Sequence, residues 1–124
     1  MDLAETYLQL TSEGNIRQLP GGQQFWIMSE GEKAAFGDGW LVSEFNCQQD
    51  WTSWEMHPQG DEVVYLLSGA VDLWLEEGVT VRTISLRQSG VAVVPRGTWH
   101  TARVLVPSRL LHITRGEGTE HRPV

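Results

Sequence analysis

Hydrophobic positions in this chain fall in short runs rather than long helical stripes. Phe25-Trp26-Ile27-Met28 is one run, and Trp40 to Phe45 is another, after the turn-rich Gly37-Asp38-Gly39. Residues 51–57 and 62–67 flank Pro58-Gln59-Gly60, and Ser68-Gly69 closes that segment. From Ala70 to Leu75, the residues Val71, Leu73 and Leu75 alternate with Asp72 and Trp74, as a strand with one buried face requires. Glu77-Gly78 reads as a hairpin turn with 79–86 as the return strand, and 91–94, 98–106 and 109–114 follow between Gly and Pro punctuation. Such close spacing predicts roughly eight or nine short strands in an all-β sandwich or barrel. One short helix is expected at 2–10, with Asp2 as N-cap, Glu5 three residues on, and Leu3, Tyr7 and Leu10 on one face. No helix-length pattern separates the strands, which disfavours a parallel βαβ architecture.

Length and charge narrow the function. The 124 residues fit one domain over 1–124, with a core barrel at about 23–115 and a polar C-terminal tail. A formal net charge of −7, with no Lys/Arg cluster, argues against nucleic acid as partner. No run approaches the ~18 apolar residues of a membrane span, and the acidic N-terminus lacks the basic region of a signal peptide. Cys47 is the single cysteine and reads as a small buried hydrophobe. These features together predict a cytoplasmic location.

Candidate chemistry concentrates in two segments. In WEMHPQGDE, Glu55 and His57 are two apart and share a strand face, and the turn at 58–60 brings Glu62 back beside them. Left unpaired in an apolar region, these groups would cost several kcal/mol to bury, and a metal ion is one way to satisfy them. In the second segment, Pro95 and Gly97 force a turn, and His100 starts the strand that leaves it.

The two segments resemble the two motifs of the cupin superfamily. The first motif, H-x-H-x-x-x-x-E-x-x-x-x-x-x-G, is matched by Glu55-x-His57-x-x-x-x-Glu62, ending at Gly69. The second, G-x-x-x-x-x-P-x-G-x-x-H-x-x-x-N, is matched by Gly90, then Pro95-x-Gly97-x-x-His100. This chain departs from the pattern at four points. Glu55 replaces the first histidine, Gln49 stands at the opening glycine, one residue is missing between Gly90 and Pro95, and Val104 replaces the final asparagine. The resemblance implies a single cupin jelly-roll barrel holding a divalent metal (Fe, Mn, Ni or Zn) on His57, Glu62 and His100. Glu55 is either a fourth ligand or a general base.

It also implies a small-molecule ligand or substrate. The expected function is metal-dependent oxygenation or isomerisation, the alternatives being non-catalytic metabolite sensing and a metal-independent, sugar-epimerase-like reaction. His112 reads as a hydrogen-bonded core histidine and His121 as solvated. Trp54 and Trp99 should point away from the pocket, and Phe45, Tyr65 and Arg103 are possible ligand contacts. Edge strands predict a homodimer, with Trp26, Trp40 and Trp51 as outward contact area.

Overall fold

The computed structural model describes residues 1–34 and 38–124. The strands are β1 (Thr6–Thr11), β2 (Ile16–Pro20), β3 (Gly39–Cys47), β4 (Ser53–Met56), β5 (Glu62–Glu77), β6 (Thr80–Arg87), β7 (Val91–Val94), β8 (His100–Thr114) and β9 (Glu120–Pro123). Two short helices, α1 (Gln23–Trp26) and α2 (Glu30–Ala34), lie between β2 and β3.

Strand β8 is the spine of the fold. One edge pairs with β5 along nearly its whole length, from Val63↔Ile113 to Leu75↔His100. Its other edge pairs with β3 through residues 108–114, and His100 pairs with Glu55 of β4. The far edge of β5 carries β7 on its first half and β6 on its second. The two long strands therefore belong to two sheet regions and bend between them, which curls the sheet around an interior.

The bend lies at Gly69, where the β5–β8 register shifts on both sides. Gly69 has φ +101, and a Cβ there would fall 2.2 Å from Ser108 Oγ and 2.7 Å from Ser108 Cα. Only glycine lets the strands pass so closely in that conformation. The glycine that ends the first motif is thus a corner residue. It also explains why 62–67 with 70–75, and 98–106 with 109–114, are two continuous strands rather than four.

Val71, Leu73 and Leu75 face inward with Leu86, Ala102 and Leu110, all at most 1% exposed. Burial of this kind is the main favourable term in the fold. Tyr7, Leu19 and Phe25 form a smaller second cluster.

Three expectations need correction. The predicted helix at 2–10 is a single turn followed by β1. Asp2 does cap, since Ala4 N–H donates to Asp2 Oδ1 (2.9 Å), but the chain then extends and pairs with β2 and β3. Period-two burial of Tyr7 and Gln9 and the pairing partner outweigh the local helical pattern. Conversely, the 25–28 run is helical through Trp26 and buries only Phe25, which meets the Tyr7 ring edge-on at 5.2 Å. Helix α2 follows a reciprocal cap: Ser29 N–H donates to Glu32 Oε1 (3.2 Å) and Glu32 N–H to Ser29 Oγ (3.1 Å). Finally, Trp51 is not an outward dimer contact. Its ring packs on the core and lies 5.9 Å from His112 and 6.3 Å from His100. No helix among the described residues is long and apolar enough to cross a membrane.

Candidate metal centre

Four side chains named from the sequence converge. β4 delivers Glu55, the turn after it His57, the start of β5 Glu62, and the start of β8 His100. One donor atom each from Glu55, His57 and His100 lies within 4.8 Å of the others. Glu62 reaches both imidazoles, with Oε1 3.0 Å from His100 Nε2 and Oε2 3.4 Å from His57 Nε2. Glu55 Oε2 stands 3.8 Å from His57 Nε2.

Hydrogen bonds around the site fix the protons. His100 Nδ1 lies 3.0 Å from Thr98 O, a carbonyl that can only accept, so Nδ1 carries the hydrogen and neutral His100 presents a bare Nε2. Thr119 Oγ1 donates to Gly116 O (2.7 Å), so at 2.8 Å from His57 Nδ1 it accepts, and His57 too presents a bare Nε2. Glu62 Oε2 accepts from Thr114 Oγ1 and lies 3.4 Å from His112 Nδ1, leaving Oε1 toward His100.

His57 Nε2, His100 Nε2 and Glu62 Oε1 are all buried, and none has a hydrogen-bond partner among the described residues. The 3.0 Å approach of Glu62 to His100 is therefore close without being aligned as a hydrogen bond. Buried acceptors facing one another without donors are costly, and a cation relieves them. Neighbouring ligands of an ion with bonds of ~2.1 Å stand about 3 Å apart; the Glu62 contacts at 3.0 and 3.4 Å are close to this, and Glu55 at 3.8 Å stands wider. The residues fit a divalent ion.

Electrostatics point the same way. Burial would raise the Glu62 carboxyl, but the close imidazoles of His100, His112 and His57 overcome it and hold the group well below the usual carboxylate range. Burial also works against a charged His100, yet its contact with Glu62 prevails and raises it. Glu55 is desolvated too, and the His121 hydrogen bond brings it below its ordinary value despite repulsion from Glu62. His121 is raised by that same bond. The raised His100 and His121 thus lie against the two carboxylates, Glu62 and Glu55.

Glu55, His57 and Glu62 lie on the wall of a cavity of about 1030 Å³, with Phe45 and Trp51 supplying apolar surface. His100, fully buried, sits behind them. His112, read first as a core histidine with the pocket as the alternative, is buried and on this wall. His121, expected as solvated, is half-exposed yet contacts Glu55 at 3.2 Å. Trp54 and Trp99 lie away from the cavity, as alternation predicts, and sandwich Arg122. Of the proposed ligand contacts, Phe45 lines the cavity. Tyr65 is on the other sheet face, and Arg103 pairs with Asp50 and stacks on Trp74.

No protein-family model and no curated protein matches the sequence. Solved structures do. A hydroquinone 1,2-dioxygenase from Sphingomonas sp. TTNP3, with 4-hydroxybenzoate bound, aligns at TM-score 0.54 and 16% identity, over 60% of this chain and 58% of that one. The chain thus spans under two thirds of the dioxygenase's length. A cupin superfamily protein from Desulfitobacterium hafniense aligns at TM-score 0.53 and 21% identity, over 61% and 66% of the two chains. A cupin-2 domain protein from Shewanella frigidimarina aligns at 0.53 and 15%, over 76% and 99%. At these identities the likeness establishes the fold alone: the chain has the jelly-roll fold of these cupin structures.

Proposed function

We propose that this protein is a metal-dependent cupin that acts on a small organic molecule. His57, Glu62 and His100 hold a divalent ion, and Glu55 is the fourth ligand. The observation that carries the reading is the set of three buried acceptor atoms, from three separate segments, that face one another without a donor. Two neutral imidazoles and two carboxylates balance a doubly charged ion. The oxygen ligands favour Fe(II) or Mn(II) over softer ions. When bound, such an ion supplies Lewis-acid or redox chemistry to a substrate in the cavity. Phe45 and Trp51 provide apolar walls for the substrate, and His112 offers a polar group beside Glu62. Oxygenation is the reaction we favour, because imidazole nitrogens with carboxylate oxygens suit Fe(II) and a fold neighbour is a dioxygenase. The test is metal analysis of the purified chain, then O2 uptake with added Fe(II) across phenols, catechols and thiols. Bound Fe or Mn with Fe(II)-dependent uptake supports the reading. Failure to bind any divalent ion overturns it.

We further infer a homodimer. Val93, Val63, Ile113, Val42 and Leu8 form one lateral row across five neighbouring strands on the outer sheet face. Val91 and Val93 there are 57% and 55% exposed. A contiguous apolar face of this kind suits a second copy of the chain. Light scattering should give twice the chain mass, falling to one on I113E; a monomer at micromolar concentration sinks the inference.

A further inference from the structure

We propose that the C-terminal segment 116–124 is a strap that orders half of the metal centre, with Thr119 and His121 as positioning residues, so that strap docking and metal binding stabilise each other. The proposal rests on the metal reading above.

Each of the four site side chains is held by a partner, and the partners divide into two pairs. His100 is held by Thr98 O and Glu62 by Thr114, both from the barrel. His57 is held by Thr119 and Glu55 by His121, both from the strap. Thr119 spends its own hydroxyl hydrogen on Gly116 O, so it can only accept from His57. That contact selects the His57 tautomer with Nε2 free for a metal. His121 takes Glu55 Oε1 and leaves Oε2 as the atom nearer His57.

Register explains how a polar tail reaches the site. Strand β9 pairs with β4 so that His121 stands opposite Glu55 and Glu120 opposite Met56, and the next residue back, Thr119, falls beside His57. Arg122 pins that register by pairing with Glu76 while lying 4.5 Å over the Trp99 ring and 5.4 Å over Trp54. Val124 N–H adds a bond to Thr52 O (3.3 Å).

The strap is otherwise weakly held. β9 has four residues, three of them exposed, and among the described residues it pairs only with the four-residue β4. None of its residues belongs to either hydrophobic cluster. Short, exposed edge pairings open at low free-energy cost. An ion that needs the docked arrangement stabilises docking, and by reciprocity docking raises the affinity for the ion.

The experiment uses the full chain and Mn(II) alone. Calorimetric affinities are measured for the unaltered protein, T119V, T119S and H121A, alongside hydrogen exchange of the β9 amides with and without Mn(II). T119V should weaken Mn(II) about 10–100-fold, the range for loss of a partner behind a ligand. T119S should restore it, H121A should also weaken it, and Mn(II) should slow β9 exchange in the unaltered chain. If the unaltered chain binds Mn(II) but T119V and H121A bind equally well and β9 exchange is indifferent to the ion, the strap proposal fails while the metal reading stands. If the unaltered chain binds no divalent ion, the metal reading fails and the coupling with it.

Discussion

Glu62 and Thr114 are joined across the seam between β5 and β8 by a hydroxyl-to-carboxylate hydrogen bond of 2.5 Å, with both side chains buried. The bond spans 52 residues of sequence and ties the start of β5 to the end of the spine. T114V keeps the shape and removes the donor. It leaves a buried carboxylate oxygen short of a partner, which should cost about 1–3 kcal/mol. Denaturant unfolding of the metal-free protein should show that loss, whereas T114S should lie close to the unaltered chain.

Stability of the metal-free protein should peak in mildly acidic solution. Glu62 is depressed, so its contribution is present above the unfolded carboxylate value of about 4.3 and is lost as pH falls through the folded value. His100 is raised, so its contribution is complete below the unfolded imidazole value of about 6.5 and is lost as pH rises through the folded value. The window lies between about pH 4.3 and 6.5. A bound ion needs the bare Nε2 of His100, so metal affinity should rise with pH through that same titration, releasing a proton. Melting temperatures from pH 4 to 9, with and without Mn(II), check both signs. A metal-free protein most stable above pH 8 would contradict the assignment.

The central strands were legible because their alternation is dictated by burial on one face. Val71, Leu73 and Leu75 are buried as read, and the turn at Glu77-Gly78 joins β5 to β6. Glu55, His57 and Glu62 were legible as a group because spacing of two and a tight turn leave few alternatives, and His100 joined them through the resemblance of its segment to the second cupin motif. The N-terminal strand was not, since Leu3, Tyr7 and Leu10 also fit a helical face and only pairing with β3 decides between them. Helix α2 carries a readable signal in Ser29 and Glu32, the two halves of a capping box. Thr119 and His121 had no local signal. Their role arises from the β4–β9 register, which brings together residues 66 apart.

At the barrel corner, G69A should be among the most damaging small substitutions in the chain. The positive φ disfavours any side chain, and the new methyl would meet the Ser108 backbone as well as its hydroxyl. Strain of this sort costs of order 1–3 kcal/mol before the clash is added. Removing the hydroxyl by S108A should not rescue it, because Ser108 Cα is itself 2.7 Å from the added atom. Equal unfolding midpoints for G69A and the unaltered chain would show that the corner is not so tight.

Glu55 stands where the cupin motif has its first histidine, and reverting it should change which metal the site prefers. E55H replaces a charged oxygen with a neutral nitrogen, giving three imidazoles and one carboxylate. It also removes the repulsion between Glu55 and Glu62 and the partner of His121. The site then carries one fewer negative charge and a softer ligand set, so Mn(II) should weaken relative to Ni(II). We expect the Mn(II)-to-Ni(II) affinity ratio to fall by about ten-fold or more, equivalent to ~1.4 kcal/mol. E55Q separates charge from geometry: it should weaken both ions together, without the shift toward nickel. Calorimetry with each ion at fixed pH reads all three proteins. An unchanged ratio in E55H would mean that Glu55 stands off the ion, leaving it free to serve as a base toward the substrate.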